Sequence, residues 1–575
     1  MTARDKGMRR GLTHYGDAGF SAFLRNSFAR SMGYSEADLD RPVIGIANTA
    51  SGFNNCHRTM PELVEAVKRG VMFAGGLPVD FPTISLGEPF LNPTSMLFRN
   101  LMAIDTEEMI RAQPMDAAVL IGGCDKTVPA QLMAAASAGL PAISLVTGPM
   151  MTGSWRGERL GACTDCRRQW ARYRAGEIDD NDIAEVGGQL STTAGTCMVM
   201  GTASTMALMT EALGMMLPDG AAVPAVHADR LRLAEATGAR AVALAAEGLA
   251  PDKIMTPAAF ANAFRVLLAT GGSTNGLVHM TAVAGRCGIR VDLDAFDRMS
   301  RETPVLVDLK PSGAHYMEDL HKAGGLAPIL RELRPLLNLD CLTVTGRTLG
   351  EELDGAPAPW DQDVVRPFGQ PLTAEGGIAV LRGNLAPDSA IIKQSAASPE
   401  LMTHEGRAVV FDSLEDLAAR IDDPDLDVAP EDVLVLRNAG PKGAPGMPES
   451  GYIPIPRKLA QAGVKDMVRL SDARMSGTAF GAIVLHCCPE AAVGGPLGLV
   501  RNGDRIRLDV PGRRLDMLVE DDEIARRRAA WSPPPPHPGS ERGYLRLYLG
   551  HVEQADAGCD LDFLKPPEMS ATTPG

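Results

Sequence analysis

Three cysteines share one setting. Cys56 follows Ser51-Gly52-Phe53-Asn54-Asn55, Cys124 follows Ile121-Gly122-Gly123, and Cys197 follows Ala194-Gly195-Thr196. Each comes after a turn built from Gly, Asn or Thr and before an apolar, helix-like stretch. A thiol at a helix N-terminus ionises more readily, and the thiolate is the form that binds metal. Three separated thiolates converging on one point would make a metal or cluster site with one position open.

Other residues offer complementary chemistry. Glu88 (in Leu86-Gly87-Glu88-Pro89), Asp125 and Glu449 (in Gly446-Met447-Pro448-Glu449) lie in turn segments. Together they could give oxygen ligands to Mg²⁺, a hard cation, although each alone is an ordinary turn acid. Cys124-Asp125-Lys126 sets a thiol, a carboxylate and an amine side by side, an arrangement that also occurs as a solvated ion pair. In Ser471-Asp472-Ala473-Arg474-Met475-Ser476-Gly477-Thr478, Ser476 stands before a glycine. No nucleophile elbow and no triad accompany it, so a turn serine and an exposed catalytic serine both remain open.

Several features are expected to carry no chemistry. Cys163-Thr164-Asp165-Cys166 is a lone C-x-x-C without a second ligand pair, and is expected to stay apart from the three turn cysteines. Cys287, Cys341, Cys487, Cys488 and Cys559 read as structural. His57 follows Cys56 and could line the same site, or be an ordinary core histidine. The histidines form no H-E-x-x-H, and no Walker A loop is present. Gly271-Gly272-Ser273-Thr274-Asn275-Gly276 lacks the dinucleotide fingerprint; it could hold a substrate carboxylate or simply begin a helix.

The elements that must position these residues follow from periodicity. Val43–Ala47, Pro82–Leu86, Ala117–Ile121 and Pro141–Val146 read as strands, with helices opening at Pro61 and near Val128. Such alternation predicts a parallel sheet covered by helices, with ligands beyond its carboxyl ends. From about Gly376 short strands separated by turns dominate, predicting a β-rich, barrel-like region. The fold class is therefore α/β. An N-terminal parallel-sheet domain spans about 1–365, Gly355–Pro371 serves as linker, and a β-rich domain spans about 376–575. Ser532–Pro538 reads as an extended strap.

Bulk properties exclude some classes. A chain of 575 residues exceeds one core. A net charge of -15 and only 5% aromatic residues argue against nucleic-acid binding. Met1–Gly7 is charged where an export signal needs an apolar run, so a cytoplasmic protein is expected. The apolar stretch Thr192–Leu217 contains Glu211 and reads as a buried helix rather than a membrane span. No membrane partner is expected.

Taken in order, Asn54–His57, Gly122–Thr127, Gly195–Cys197, Gly446–Glu449 and Ser471–Thr478 resemble the dihydroxy-acid and phosphogluconate dehydratase family over nearly the whole chain. Within it, the Cys-Asp-Lys-Thr and Arg-Met-Ser-Gly-Thr loops, with Gly558–Leu564, resemble the pentonate branch that acts on L-arabinonate or D-xylonate. Arg159–Arg174 departs from that branch and leaves the substrate open. The resemblance implies a [2Fe–2S] cluster on Cys56, Cys124 and Cys197. It also implies Mg²⁺ on Glu88, Asp125, Glu449 and a CO₂-carboxylated Lys126, with Ser476 as base; Thr478, two residues on, is the alternate for that role. It further implies a homodimer or dimer of dimers acting on a small sugar acid. The reaction would convert a 2,3-dihydroxy acid to a 2-keto-3-deoxy acid; the alternative is the dihydroxy-acid step of branched-chain amino-acid synthesis. A zinc hydrolase and a non-catalytic cluster-bearing redox sensor are the rivals from other classes.

Overall fold

The run Val43–Ala47 forms β1 (Val43–Asn48) in the computed structural model, which describes residues 6–12, 15–569 and 571–573. Met1–Asp5, part of the segment that argues against an export signal, lie outside the described residues. Beside β1 stand β2 (Leu77–Pro82), β3 (Ala117–Gly122) and β4 (Ala142–Val146). All pair in parallel, in the order β2–β1–β3–β4. Every residue of β3 and β4 is buried, which is why these strands read as unbroken apolar runs.

One strand differs from expectation. Pro82–Leu86 is not a strand; the pairing segment is β2, earlier in the chain. Its register ends at Asn48 opposite Pro82, where β1 itself stops. After one last bond from the Thr83 N–H to the Asn48 carbonyl (3.1 Å), the chain departs toward Glu88.

The helix Met60–Phe73 opens with Pro61 in its first turn and buries Leu63, Val64, Val67 and Val71. It crosses the helix Ala228–Glu247 at very short range. At Gly70 a Cβ would clash with the Glu235 carbonyl oxygen, and at Gly238 a Cβ would clash with that of Val67. The apolar stretch after Cys197 forms the helix Thr202–Ala212, buried at every residue. Among the described residues no helix is long and apolar enough to cross a membrane.

The C-terminal strands are β5 (Ala379–Leu381), β6 (Ser389–Ile392), β7 (Thr403–Phe411), β8 (Val433–Leu436), β9 (Arg469–Ser471), β10 (Ile483–Cys488), β11 (Arg505–Asp509) and β12 (Arg514–Met517). They form one eight-stranded sheet in the order β12–β11–β7–β8–β9–β10–β6–β5. Arg382 then links the two ends: its N–H donates to the Arg513 carbonyl, and its carbonyl accepts from Leu515, both at 3.0 Å. The expected barrel-like region is therefore nearly closed, which shields its edges. β7, β8, β9 and β10 run parallel, so their carboxyl ends face one way.

Gly355–Pro371 does not hang free. It bonds to the N-terminal region through Asp308 N–H to Val364 carbonyl and Arg366 N–H to Leu306 carbonyl, both 2.8 Å. Ser532–Pro538 carries no regular structure, and His537 Nε2 meets the Lys442 carbonyl oxygen at 3.0 Å. The tail beyond it is stitched back onto the N-terminal region. The Arg99 guanidinium donates to the Gly558 and Cys559 carbonyls (2.8 and 2.9 Å), and Arg286 pairs with the fully buried Asp560 at 2.5 Å.

The helix crossing makes a direct prediction. Gly238→Ala forces a methyl into backbone and should destabilise the fold by about 1–3 kcal/mol. A lowered thermal midpoint is expected; an unchanged midpoint would mean the two helices pack less closely than described.

Candidate active site

β1 leads to β2 on one side, while β3 leads to β4 on the other, so the β1/β3 boundary is the switch point of the parallel sheet. Cys56 and Cys124 come from the loops leaving these two strands. Cys56 lies in the turn Asn55–His57, where the Asn54 side chain caps its N–H at 3.2 Å. Cys124 lies just beyond β3, and the helix Thr127–Ala138 follows. His57, unassigned from sequence, braces both turns. Its Nδ1 donates to the Thr49 carbonyl (2.9 Å), and its Nε2 accepts from the Gly123 and Cys124 N–H groups (3.0 and 3.4 Å). Burial lowers its pKa to about 4, so the ring stays neutral. Gly123 is required there, because a Cβ would stand 2.1 Å from the Thr147 hydroxyl and 3.1 Å from the His57 ring.

Cys197 arrives through a turn in which Gly195 adopts φ +128° and Thr196 exchanges backbone bonds with Gly148 and Met150 at 2.9 Å. The three turn cysteines thus gather. Cys124 beside it, together with burial, pushes the Cys56 thiol well up. The Cys163 contact eases ionisation of Cys197, but burial, Asp125, Cys56 and Cys124 push its thiol up on balance. The eased ionisation expected from helix-end settings is therefore not realised for Cys56 or Cys197. Crowded, buried thiols need cationic charge before they can all ionise.

Cys163 also departs from expectation. It does not stay apart: its Sγ lies 3.3 Å from Cys197 Sγ. The helix Thr164–Ala175 begins at this residue, and Asp165 behind it is held by Lys310 (3.0 Å), the Tyr316 hydroxyl (2.8 Å) and the Gly161 N–H (2.7 Å). That anchorage turns the thiol inward. Cys166 instead donates to the Cys163 carbonyl at 2.6 Å.

The acids meet beside the thiols. Lys126, with no exposed side chain, lies 3.3 Å from Asp125 and 3.5 Å from Glu88. Arg474, equally buried, binds Glu449 (2.5 Å), Glu88 (3.4 Å) and the Thr94 hydroxyl (2.7 Å). Burial opposes ionisation of Glu88, yet Lys126 and Arg474 beside it, with the Ser95 and Thr94 hydroxyls, hold its carboxyl well below the usual range. Burial, offset in part by Arg474 and reinforced by Glu88, moves Glu449 upward. Two sheets thus contribute to one cluster: Glu88 and Asp125 come from loops beyond β2 and β3, and Glu449 from the loop after β8.

The loop from β9 to β10 carries Ser476 and Thr478, both buried, with their hydroxyls 2.8 Å apart. This loop packs directly on the cysteine region. The Thr164 hydroxyl donates to the Thr478 carbonyl at 3.0 Å, and a Cβ on Gly477 would stand 2.4 Å from Ser273 Cβ. Asn275 Nδ2 donates to the Met475 carbonyl (3.0 Å) and reaches Glu449 Oε1 (3.4 Å). The Gly271–Gly276 turn therefore begins a helix, capped by Ser273, and also lines the site. Lys393 is wholly buried and donates to the Gly477 carbonyl at 3.0 Å; burial lowers its pKa to about 7. Sequence reasoning gave no role to Arg474 or Lys393, and left His57 and the Gly271–Gly276 turn open. The one local signal was a lysine closing the apolar strand run Ala390-Ile391-Ile392.

The chain matches the sequence patterns of the dihydroxy-acid/6-phosphogluconate dehydratase N-terminal region over residues 41–352 and C-terminal region over residues 363–559. It belongs to that dehydratase family. An L-arabinonate dehydratase of Rhizobium leguminosarum bv. trifolii is 49% identical over 96% of this chain and 95% of its own. A 6-deoxy-6-sulfo-D-gluconate dehydratase of Pseudomonas putida is 47% identical over 94% and 93%. A dihydroxy-acid dehydratase of Moorella thermoacetica is 40% identical over 95% and 99%.

Arg474 is the site's clearest point of failure. Arg474→Gln leaves Glu88 and Glu449 buried with one fewer cation, and breaking such a pair costs about 3–5 kcal/mol. A large fall in thermal midpoint is expected, partly restored by adding Glu449→Gln. Wild-type melting in the single variant would contradict the pairing.

Proposed function

We propose that this chain is a hydro-lyase that dehydrates a sugar acid to its 2-keto-3-deoxy acid, with a [2Fe–2S] cluster and Mg²⁺ as resident cofactors. The single observation that carries this reading is the meeting of two donor sets, sulfur and carboxylate, beside one serine loop. The donors suit both groups: soft thiolates select iron–sulfur clusters, and carboxylates suit Mg²⁺. Two buried polar atoms without partners belong to residues at this site: Asn275 Oδ1, on the side chain that reaches Glu449, and Thr127 Oγ1, next to Lys126.

Cys56, Cys124 and Cys197 would hold the cluster. Glu88, Asp125 and Glu449 would hold the cation with Lys126, whose amine becomes an oxygen donor if carboxylated by CO₂. When bound, these groups supply Lewis acidity to the departing hydroxyl and to the substrate carboxylate. The chain's own residues do the rest. Ser476 Oγ takes the C2 proton, and the Thr478 hydroxyl, 2.8 Å away, holds it in place. Lys393 fixes the Gly477 carbonyl and so holds the turn that presents the serine. Burial of Ser476 and Lys126 keeps bulk water from the reacting carbon. The enol left by loss of the C3 hydroxyl then tautomerises to the keto acid.

The sugar-acid reading is favoured over the branched-chain alternative because the sugar-acid dehydratases above share 49% and 47% identity with this chain, against 40% for the dihydroxy-acid enzyme. The same reading makes the protein a homodimer or dimer of dimers. The helix Ala18–Ser31 supports it, since Phe20, Phe23 and Phe28 stand exposed there.

The test is an anaerobic assay of a panel of aldonates, with a branched dihydroxy acid beside them, for 2-keto-acid formation. An aldonate should be preferred; sole turnover of the branched acid would overturn the substrate class. Ser476→Ala should lose about 10²–10⁴-fold in kcat while retaining iron and magnesium. Lys126→Ala should instead lose magnesium. A Ser476→Ala enzyme with near-normal kcat would remove Ser476 as the base.

A further inference from the structure

A fourth thiol stands at the sulfur site, and the reading above gives it no task. Cys163 Sγ is 3.3 Å from Cys197 Sγ. Two sulfurs bound to one tetrahedral metal at about 2.3 Å would lie roughly 3.8 Å apart, so this pair needs only a small displacement to share an iron. Cys163 and Cys197, both half-buried, pack against Met150, Met198, Val199 and Tyr316.

The placement of Cys163 is over-determined. Its carbonyl accepts from the Cys166 thiol at 2.6 Å. Thr164, next in sequence, is tied to the Thr478 carbonyl, and Asp165 is held by Lys310, Tyr316 and Gly161. Three contacts on successive residues fix where the helix Thr164–Ala175 begins, and therefore where this thiol points. A cysteine packed by chance in a core would need none of that anchorage. The same turn touches both the sulfur set and the serine loop, so it spans the two halves of the site.

We propose that Cys163 is a fourth thiolate ligand of the metal cluster, closing the position that Cys56, Cys124 and Cys197 leave open. This inference rests on the cluster reading above, and it makes the resting site of this chain all-sulfur. A closed cluster resists oxygen better than one with an exposed iron. Cys163 is then the residue that substrate must displace, so the chain holds a guard on its own site.

The test compares anaerobically purified full-length wild type with Cys163→Ala and Cys163→Ser, by iron and sulfide content and Mössbauer spectroscopy. The wild type should show equivalent iron environments. Cys163→Ala should keep the same iron content but show one distinct iron site, and Cys163→Ser should shift that site toward oxygen ligation. Bleaching in air should be several-fold faster in Cys163→Ala. Identical spectra and identical bleaching in wild type and Cys163→Ala would overturn the inference while leaving the three-cysteine cluster standing. Wild type devoid of iron and sulfide after anaerobic purification would overturn the cluster reading and the inference together.

Discussion

One buried guanidinium, Arg474, holds the two halves of this site together. It comes from the loop after a barrel strand, yet it binds Glu88 from the parallel-sheet region and Glu449 from its own side. Burying two carboxylates next to each other is unfavourable unless a cation lies between them. Arg474 meets that requirement with a planar fork, which can bond two acids and the Thr94 hydroxyl at once. Without it the crevice would have to open or take up protons. The closeness of the serine loop to the thiols follows from the same contact, because Ser476 lies two residues beyond Arg474.

The whole site is an accumulation of groups that repel one another when ionised. Thiols crowd at one end and carboxylates at the other, against two buried cations, Lys126 and Arg474. That imbalance is what a cationic metal site offsets. The scaffold keeps the groups from relaxing apart. His57 locks the Cys124 turn, Gly123 permits it, and the stitched C-terminal tail clamps the N-terminal region through Arg99 and Arg286. Pre-arrangement of this kind is how catalytic sites avoid reorganising during reaction.

Much of this was legible in the sequence because the signals are local. β1, β3, β4, β5 and β8 are apolar runs, and β11 and β12 alternate apolar with polar residues; both patterns form strands wherever a partner exists. The three turn cysteines, Glu88, Asp125, Lys126, Glu449 and Ser476 sit in short Gly-rich motifs whose order matched a known family. What was not legible depends on distant contacts. The pairing of Arg474 with Glu88 spans 386 positions. Cys163 faces Cys197 because Lys310 and Tyr316 anchor Asp165, and no local pattern reports that. The misplaced strand at Pro82–Leu86 failed for the same reason: its composition suits a strand, but β1 ends before it could pair.

The most direct measurement is a crystal structure of anaerobically prepared protein with anomalous data collected at the iron absorption edge. Iron peaks should lie among Cys56, Cys124 and Cys197, at the end of the crevice that Ser476 and Thr478 close. Iron elsewhere, or zinc alone among these sulfurs, would contradict the account.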